Sequence, residues 1–149
     1  MGNTDHVVRM IDRLAIRILR ARGITDARRL ERGIYHSRQL RGLGCSVGPI
    51  VVLSTAFVTT GTPDELRAVI VHELAHWRLH HQLKQLWCRI IAPWKLPYMR
   101  RQHEYAADAF VRRAGLSVAL ASALARPDVL QHGTDSHPSV SARIDRLFA

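Results

Sequence analysis

Apolar residues recur at helical spacing at Val7, Ile11, Leu14 and Ile18, with Arg9, Arg13, Arg17 and Arg20 largely elsewhere on the wheel. The spacing predicts an amphipathic helix over 5–21, ended by Gly23 and packed on a core through its apolar side. Thr25 is placed to cap a short second helix over 26–31, ended by Gly33. From Ile34 to Leu40 the pattern changes to alternation, which predicts a strand. Gly42, Gly44 and Gly48 predict a turn or mobile loop. Pro49 to Ser54 is a β-branched run and reads as the strongest strand in the chain. Residues 55–61 form a short connection.

Thr62-Pro63-Asp64-Glu65 then has the form of a capping box with proline at the first helical position. Leu66, Val69, Ile70, Leu74 and Trp77 supply the apolar face of the helix it opens, expected to run to about residue 83. Residues 82–99 mix Trp87, Ile90, Ile91, Trp94, Leu96 and Tyr98 with Lys84, Arg89 and Lys95 and are broken by two prolines. The run falls short of the roughly 20 apolar residues of a membrane span; of a lid, a membrane-touching edge and a packed connector, the last is the favoured reading. Further helices are predicted over Arg101–Ala114, stopped by Gly115, and over Ser117–Ala125, ended by Pro127. After a loop over 128–136, Ser136-His137-Pro138 opens a last helix with Val140, Ile144, Leu147 and Phe148 on its apolar side.

These elements predict an α+β fold, mostly helical with a small β-sheet. At 149 residues a single domain is expected, with an N-terminal helical segment over 5–31 and a core over 34–149. The hydrophobic fraction of 47% makes the chain globular rather than disordered. The net charge of +10 favours acidic partners, but it is carried by twenty Arg and two Lys. No base-reading motif or aromatic–basic platform accompanies it, so no specific nucleic-acid partner is expected. Two distant cysteines, Cys45 and Cys88, make neither a disulfide framework nor a C-x-x-C metal site. With Arg9, Arg13 and Arg17 interrupting any signal-peptide core, the expected location is cytoplasmic, with peripheral membrane contact left open.

Chemistry concentrates in His72-Glu73-Leu74-Ala75-His76, an H-E-x-x-H sequence in the middle of the capped helix. Positions i and i+4 share a helix face, so two imidazoles can grip one metal ion from one side. Glu73 beside them is placed to act as general base on a metal-activated water. A catalytic zinc site needs three protein ligands and one open position. Glu104, on the helix over 101–114, is the expected third ligand to a single Zn2+. The metzincin pattern does not apply, because Leu79 stands at its glycine and Gln82 at its third histidine. His80, His81 and His103 read as surface residues or as supports of the ligands. Asp108 shares a face with Glu104 and is placed to orient a zinc ligand, His72 above all, or to pair with an arginine.

The H-E-x-x-H at 72–76, the E-x-x-A-D at 104–108, and Ser136-His137-Pro138 with Arg143 six residues after the histidine occur in this order. In this the chain resembles the HtpX/CaaX-prenyl-protease type of gluzincin metallopeptidase over about residues 34–148. The resemblance implies a zinc endopeptidase in which His72, His76 and Glu104 are ligands and Glu73 is the base. It further implies that His137 and Arg143 stabilise the oxyanion. Many members carry transmembrane helices that this sequence lacks. The ImmA/IrrE repressor-cleaving peptidases are an alternative, although they typically have E-x-x-A-N where Asp108 stands here. A latent or non-catalytic zinc-binding regulatory module is another. A peptide or protein substrate is expected to lie along Ile50–Ser54 as an added strand, using a free edge.

Overall fold

Val51, Val52 and Leu53 are fully buried at the centre of a four-stranded sheet. The computed structural model describes residues 2–127, 129, 134 and 137–149, with the backbone alone for 2–4. Ser136 and most of the predicted 128–136 loop lie outside the described residues. The chain forms two compact units, residues 1–60 and 61–149.

The first unit contains α1 (Gly2–Ala21), β1 (Arg28–Glu31), β2 (Ile34–Ser37), β3 (Gly44–Val47), β4 (Ile50–Ser54) and α2 (Thr55–Thr60). The strand order is β1-β2-β4-β3. β4 runs parallel to β2 and antiparallel to β3, and β1 is antiparallel to β2. Five consecutive buried residues in β4 explain its unbroken apolar sequence. Because β4 is hydrogen-bonded on both sides, the free edge expected for Ile50–Ser54 does not exist. The outer strands are β1 and β3.

Three segments of this unit differ from the sequence expectation. Residues 28–31 are a strand, not a helix. Asp26 accepts bonds from the Ser37 hydroxyl and the Arg38 amide, and the Thr25 amide donates to Gln39, which draws the segment alongside β2. Gly33, with φ +77°, makes the reversal. The expected glycine loop contains β3, whose tight connection to β4 uses Gly48 at φ +60°. The 55–61 connection is largely helical, with the Ser54 hydroxyl accepting from the Phe57 amide.

α1 covers the sheet through Ala15 and Leu19, which cluster with Tyr35, Ile50 and Val52. The Tyr35 hydroxyl donates to Asp12 at 2.8 Å, and Arg29 pairs with the same carboxylate. Of the predicted apolar positions Val7, Ile11, Leu14 and Ile18, the last packs against this cluster. Val7, Met10, Ile11 and Leu14 are exposed, so the packing face belongs to the C-terminal half of the helix.

The second unit contains α3 (Pro63–Arg78), α4 (His81–Ile91), a 3-10 turn (Pro93–Lys95), α5 (Leu96–Arg113), α6 (Ser117–Leu124) and α7 (Val140–Phe148). α3 begins in the predicted capping box, with the Glu65 amide donating to Thr62 Oγ1 and the Thr62 amide donating to Glu65. Glu65 also accepts a 2.6 Å bond from Ser122, joining α6 to the start of α3. Ala68 and Ala75 have no accessible surface; small side chains on this face let its neighbours come close.

α3 ends at Arg78, not near residue 83. His80 takes a left-handed conformation, φ 56°, and reverses the chain direction before α4. The expected connector over 82–99 is therefore α4, the 3-10 turn and the first turn of α5. α5 stops at the predicted place, followed by Gly115 at φ +75°.

Leu19→Ala should destabilise the folded chain by about 2–5 kcal/mol, while Met10→Ala on the same helix should change stability by less than about 0.5 kcal/mol. Urea titration followed by circular dichroism measures both.

Candidate metal centre

α3 carries His72 and His76 on one face, and α5 presents Glu104 against them. The Nε2 atoms of the two histidines are 3.1 Å apart. Glu104 Oε2 lies 3.4 Å from His72 Nε2, and Oε1 lies 3.4 Å from His76 Nε2. Metal–ligand bonds of 2.0–2.1 Å in a tetrahedron imply ligand atoms separated by about 3.3 Å. Two imidazole nitrogens and a carboxylate at these spacings therefore fit zinc. They are the three-donor group among the described residues, and three donors leave one tetrahedral position open.

Buried charge surrounds the donors. Asp108, one turn beyond Glu104 and almost wholly inaccessible, lies with Oδ1 3.0 Å from His72 Nδ1. This is the contact expected of a carboxylate that fixes a ligand's tautomer and ring angle. The alternative expectation for Asp108 also holds. Arg143 of α7 donates from Nε at 2.8 Å and from Nη2 at 2.7 Å to the two Asp108 oxygens. Its Nη1 is 3.3 Å from Glu104 Oε2. Arg143 thus binds the ligand cluster through two carboxylates in a fork geometry. Arg146 lies over the Tyr105 ring and further ties α7 to α5.

The protonation pattern follows from these contacts. Burial opposes a charged His72, but hydrogen bonds to Asp108 and Glu104 outweigh it and raise its pKa to about 9. His76, partly buried and facing His72, is pushed down to about 4 by desolvation and the neighbouring charge. Burial would raise the Glu104 and Asp108 carboxyls, yet both are lowered: Glu104 mainly by His72 and Arg143, Asp108 mainly by Arg143 and His72. Without metal, one proton on His72 therefore sits among two carboxylates.

The sequence does not tie His81 to a particular ligand; the structure does. The reversal at His80 directs His81 back into the unit, where its Nδ1 is 2.9 Å from His76 Nδ1. Its ring stacks on His103, with centroids 3.9 Å apart and planes 3° from parallel. If His76 offers Nε2 to a metal, its Nδ1–H donates to His81 Nδ1, which requires neutral His81. Burial and the neighbouring histidines do hold the His81 pKa down to about 3. The available signal was the doubled histidine at a helix end. Its direction depends on the left-handed residue between helices. His80 itself is exposed.

Of the remaining predicted residues, Glu73 is partly buried on α3, and its charge reaches Arg143. His137 is exposed ahead of α7, where its backbone pairs with Thr134. The structure does not bring its ring into hydrogen-bond contact with the donor cluster.

A small mixed sheet and a helical bundle that sets H-E-x-x-H against a glutamate define a zincin-like α+β fold. The family model for peptidase family M48 matches residues 40–94, a stretch that contains His72, Glu73 and His76 and ends before Glu104. The fold is similar to the crystal structure of S. mikatae Ste24p, with a TM-score of 0.61 and 16% sequence identity. That similarity covers 76% of this chain and 44% of the Ste24p chain, so this chain spans less than half of its length. Curated protein sequences yield no match. The motif-based resemblance is borne out: the chain resembles M48 metallopeptidases of the HtpX/Ste24 type, in sequence around the H-E-x-x-H helix and in fold.

Metal binding should displace the His72 proton. With a metal-free pKa of about 9, zinc uptake at pH 7 should release about one proton, and affinity should rise with pH until about 9. Calorimetric titrations in buffers of different ionisation enthalpy measure the release; binding with no proton exchange would contradict this assignment. His81→Phe should weaken zinc binding about 10–100-fold, measured by competition with a chelator.

Proposed function

We propose that this chain is a zinc-dependent endopeptidase. The observation that carries the proposal is the convergence of His72, His76 and Glu104 from two helices at spacings that suit zinc, with Glu73 adjacent. Zinc bound there would polarise the scissile carbonyl and lower the pKa of a coordinated water toward about 7.

The chain's own residues supply the rest. A Glu73 carboxylate oxygen takes the proton of the attacking water and passes it to the leaving nitrogen. Asp108 holds His72 through Nδ1 and, with Glu104, fixes Arg143. The Arg143 guanidinium places positive charge beside the cluster, where negative charge develops on the carbonyl oxygen. Its engagement by two carboxylates limits its movement, so its contribution is chiefly a preorganised field. His137, exposed before α7, is assigned as a donor to the same oxygen once substrate is bound. The three-donor set supports an enzyme over a closed structural site, which has four protein ligands and needs no base. The substrate class is peptide or protein.

Glu73→Gln should retain one equivalent of zinc and lose about 100–10,000-fold in peptide cleavage. Metal analysis and a casein-fragment assay on the same preparation provide the test. Unchanged proteolysis by the zinc-loaded variant would refute the mechanism.

A further inference from the structure

α4 is an amphipathic helix turned inside out. Leu83, Leu86, Trp87, Ile90 and Ile91 stand at i, i+3, i+4, i+7 and i+8, a single stripe of the kind that ordinarily faces a core. Here the stripe faces solvent, and Trp94 and Tyr98 extend the exposed apolar surface beyond the helix. These seven side chains are between 55% and 73% exposed. The residues turned inward are His81, Gln85 and Cys88. His81 contacts His76, Gln85 approaches His103 at 3.3 Å, and Cys88 donates to the Ala92 carbonyl. The helix is held by its polar side, so the apolar stripe is not required to attach it.

The charge around the stripe identifies an occupant. Between Glu73 and Glu104 there is no Asp or Glu, while Arg78, Lys84, Arg89, Lys95, Arg100 and Arg101 are all cationic. Lys84 and Arg89 flank the stripe on opposite sides of the helix, and both are exposed. A second copy docked symmetrically would bring these cations against themselves. An apolar stripe between basic residues, with two tryptophans and a tyrosine, instead matches a bilayer interface with anionic headgroups. No helix among the described residues is long and apolar enough to cross a membrane.

We propose that α4, the 3-10 turn and the start of α5 form a docking surface for an anionic lipid bilayer, with the apolar stripe inserted at the headgroup boundary. The opposite face of α4 carries His81, so docking sets the metal centre one helix away from the lipid. This surface is independent of the peptidase assignment, and binding can be measured without proteolysis.

The test is co-sedimentation of the full chain with phosphatidylcholine vesicles, alone and with about one third phosphatidylglycerol, near physiological salt. The chain should pellet with the anionic vesicles, more weakly as salt rises, and its tryptophan emission should shift to shorter wavelength. An Ile90→Glu, Trp94→Glu double variant should bind at least about tenfold more weakly while keeping its circular dichroism spectrum and zinc stoichiometry. A Lys84→Gln, Lys95→Gln variant should lose binding to anionic vesicles without changing the stripe. Absence of wild-type pelleting would overturn the proposal, as would binding indifferent to both double variants. A concentration-dependent dimer seen by light scattering, dispersed by Ile90→Glu and accompanied by no vesicle binding, would assign the surface to a second copy instead.

Discussion

Burying Asp108 constrains the whole second unit. A carboxylate removed from water must be paired, and its two oxygens meet Arg143 while one also meets His72. Those partners come from α7 and α3, so satisfying one buried charge fixes three helices in register. Glu104, one turn away on α5, is drawn into the same arrangement by Arg143 and the histidines. Breaking a buried pair of this kind typically costs about 3–5 kcal/mol, because a charge is left without a partner. The cluster is nevertheless weak evidence for stability as such, since desolvation offsets much of the attraction. Its clearer consequence is geometric: the donor atoms are held at spacings that suit a metal before any metal binds.

The electrostatics point the same way. In the metal-free protein the two carboxylates are balanced by Arg143 and by the proton on His72. A dication bound in place of that proton would add positive charge beside Glu73, the residue next to His72 on α3. The proposed general base would thus also belong to the charge balance of a metal-bound site. His76 has a different environment. Its outer nitrogen meets neutral His81 rather than a carboxylate, so the two imidazoles are unlike donors although the motif makes them look equivalent.

The parts legible in the sequence are those encoded over a few residues. The capping box, the i, i+4 histidines, the E-x-x-A-D face and the buried β4 run each depend on local spacing, and the structure places them as expected. The α+β class followed from them. Less legible were features set by single backbone conformations or by pairing at a distance. Thr25 looks like a helix cap and Asp26 like the first residue of the helix, yet their bonds go to Gln39, Ser37 and Arg38. Gly42, Gly44 and Gly48 suggest a loop, but pairing with β4 makes four of the intervening residues a strand. β4 itself was recognisable, whereas its central position required knowledge of both neighbours.

Amphipathicity in α4 shows the limit most plainly. Periodicity specifies which residues share a face; it does not specify what that face meets. In α4 the attachment to the unit is made by the polar side, through contacts that begin at a metal-ligating candidate, His76. Packing the apolar stripe inward would rotate His81 away from His76 and His103 and leave those buried ring nitrogens in need of other partners. The left-handed turn at His80 selects the other solution. The same constraint that supports the second histidine therefore leaves a tryptophan-rich, basic-flanked surface facing outward, and site geometry and surface chemistry become two sides of one helix.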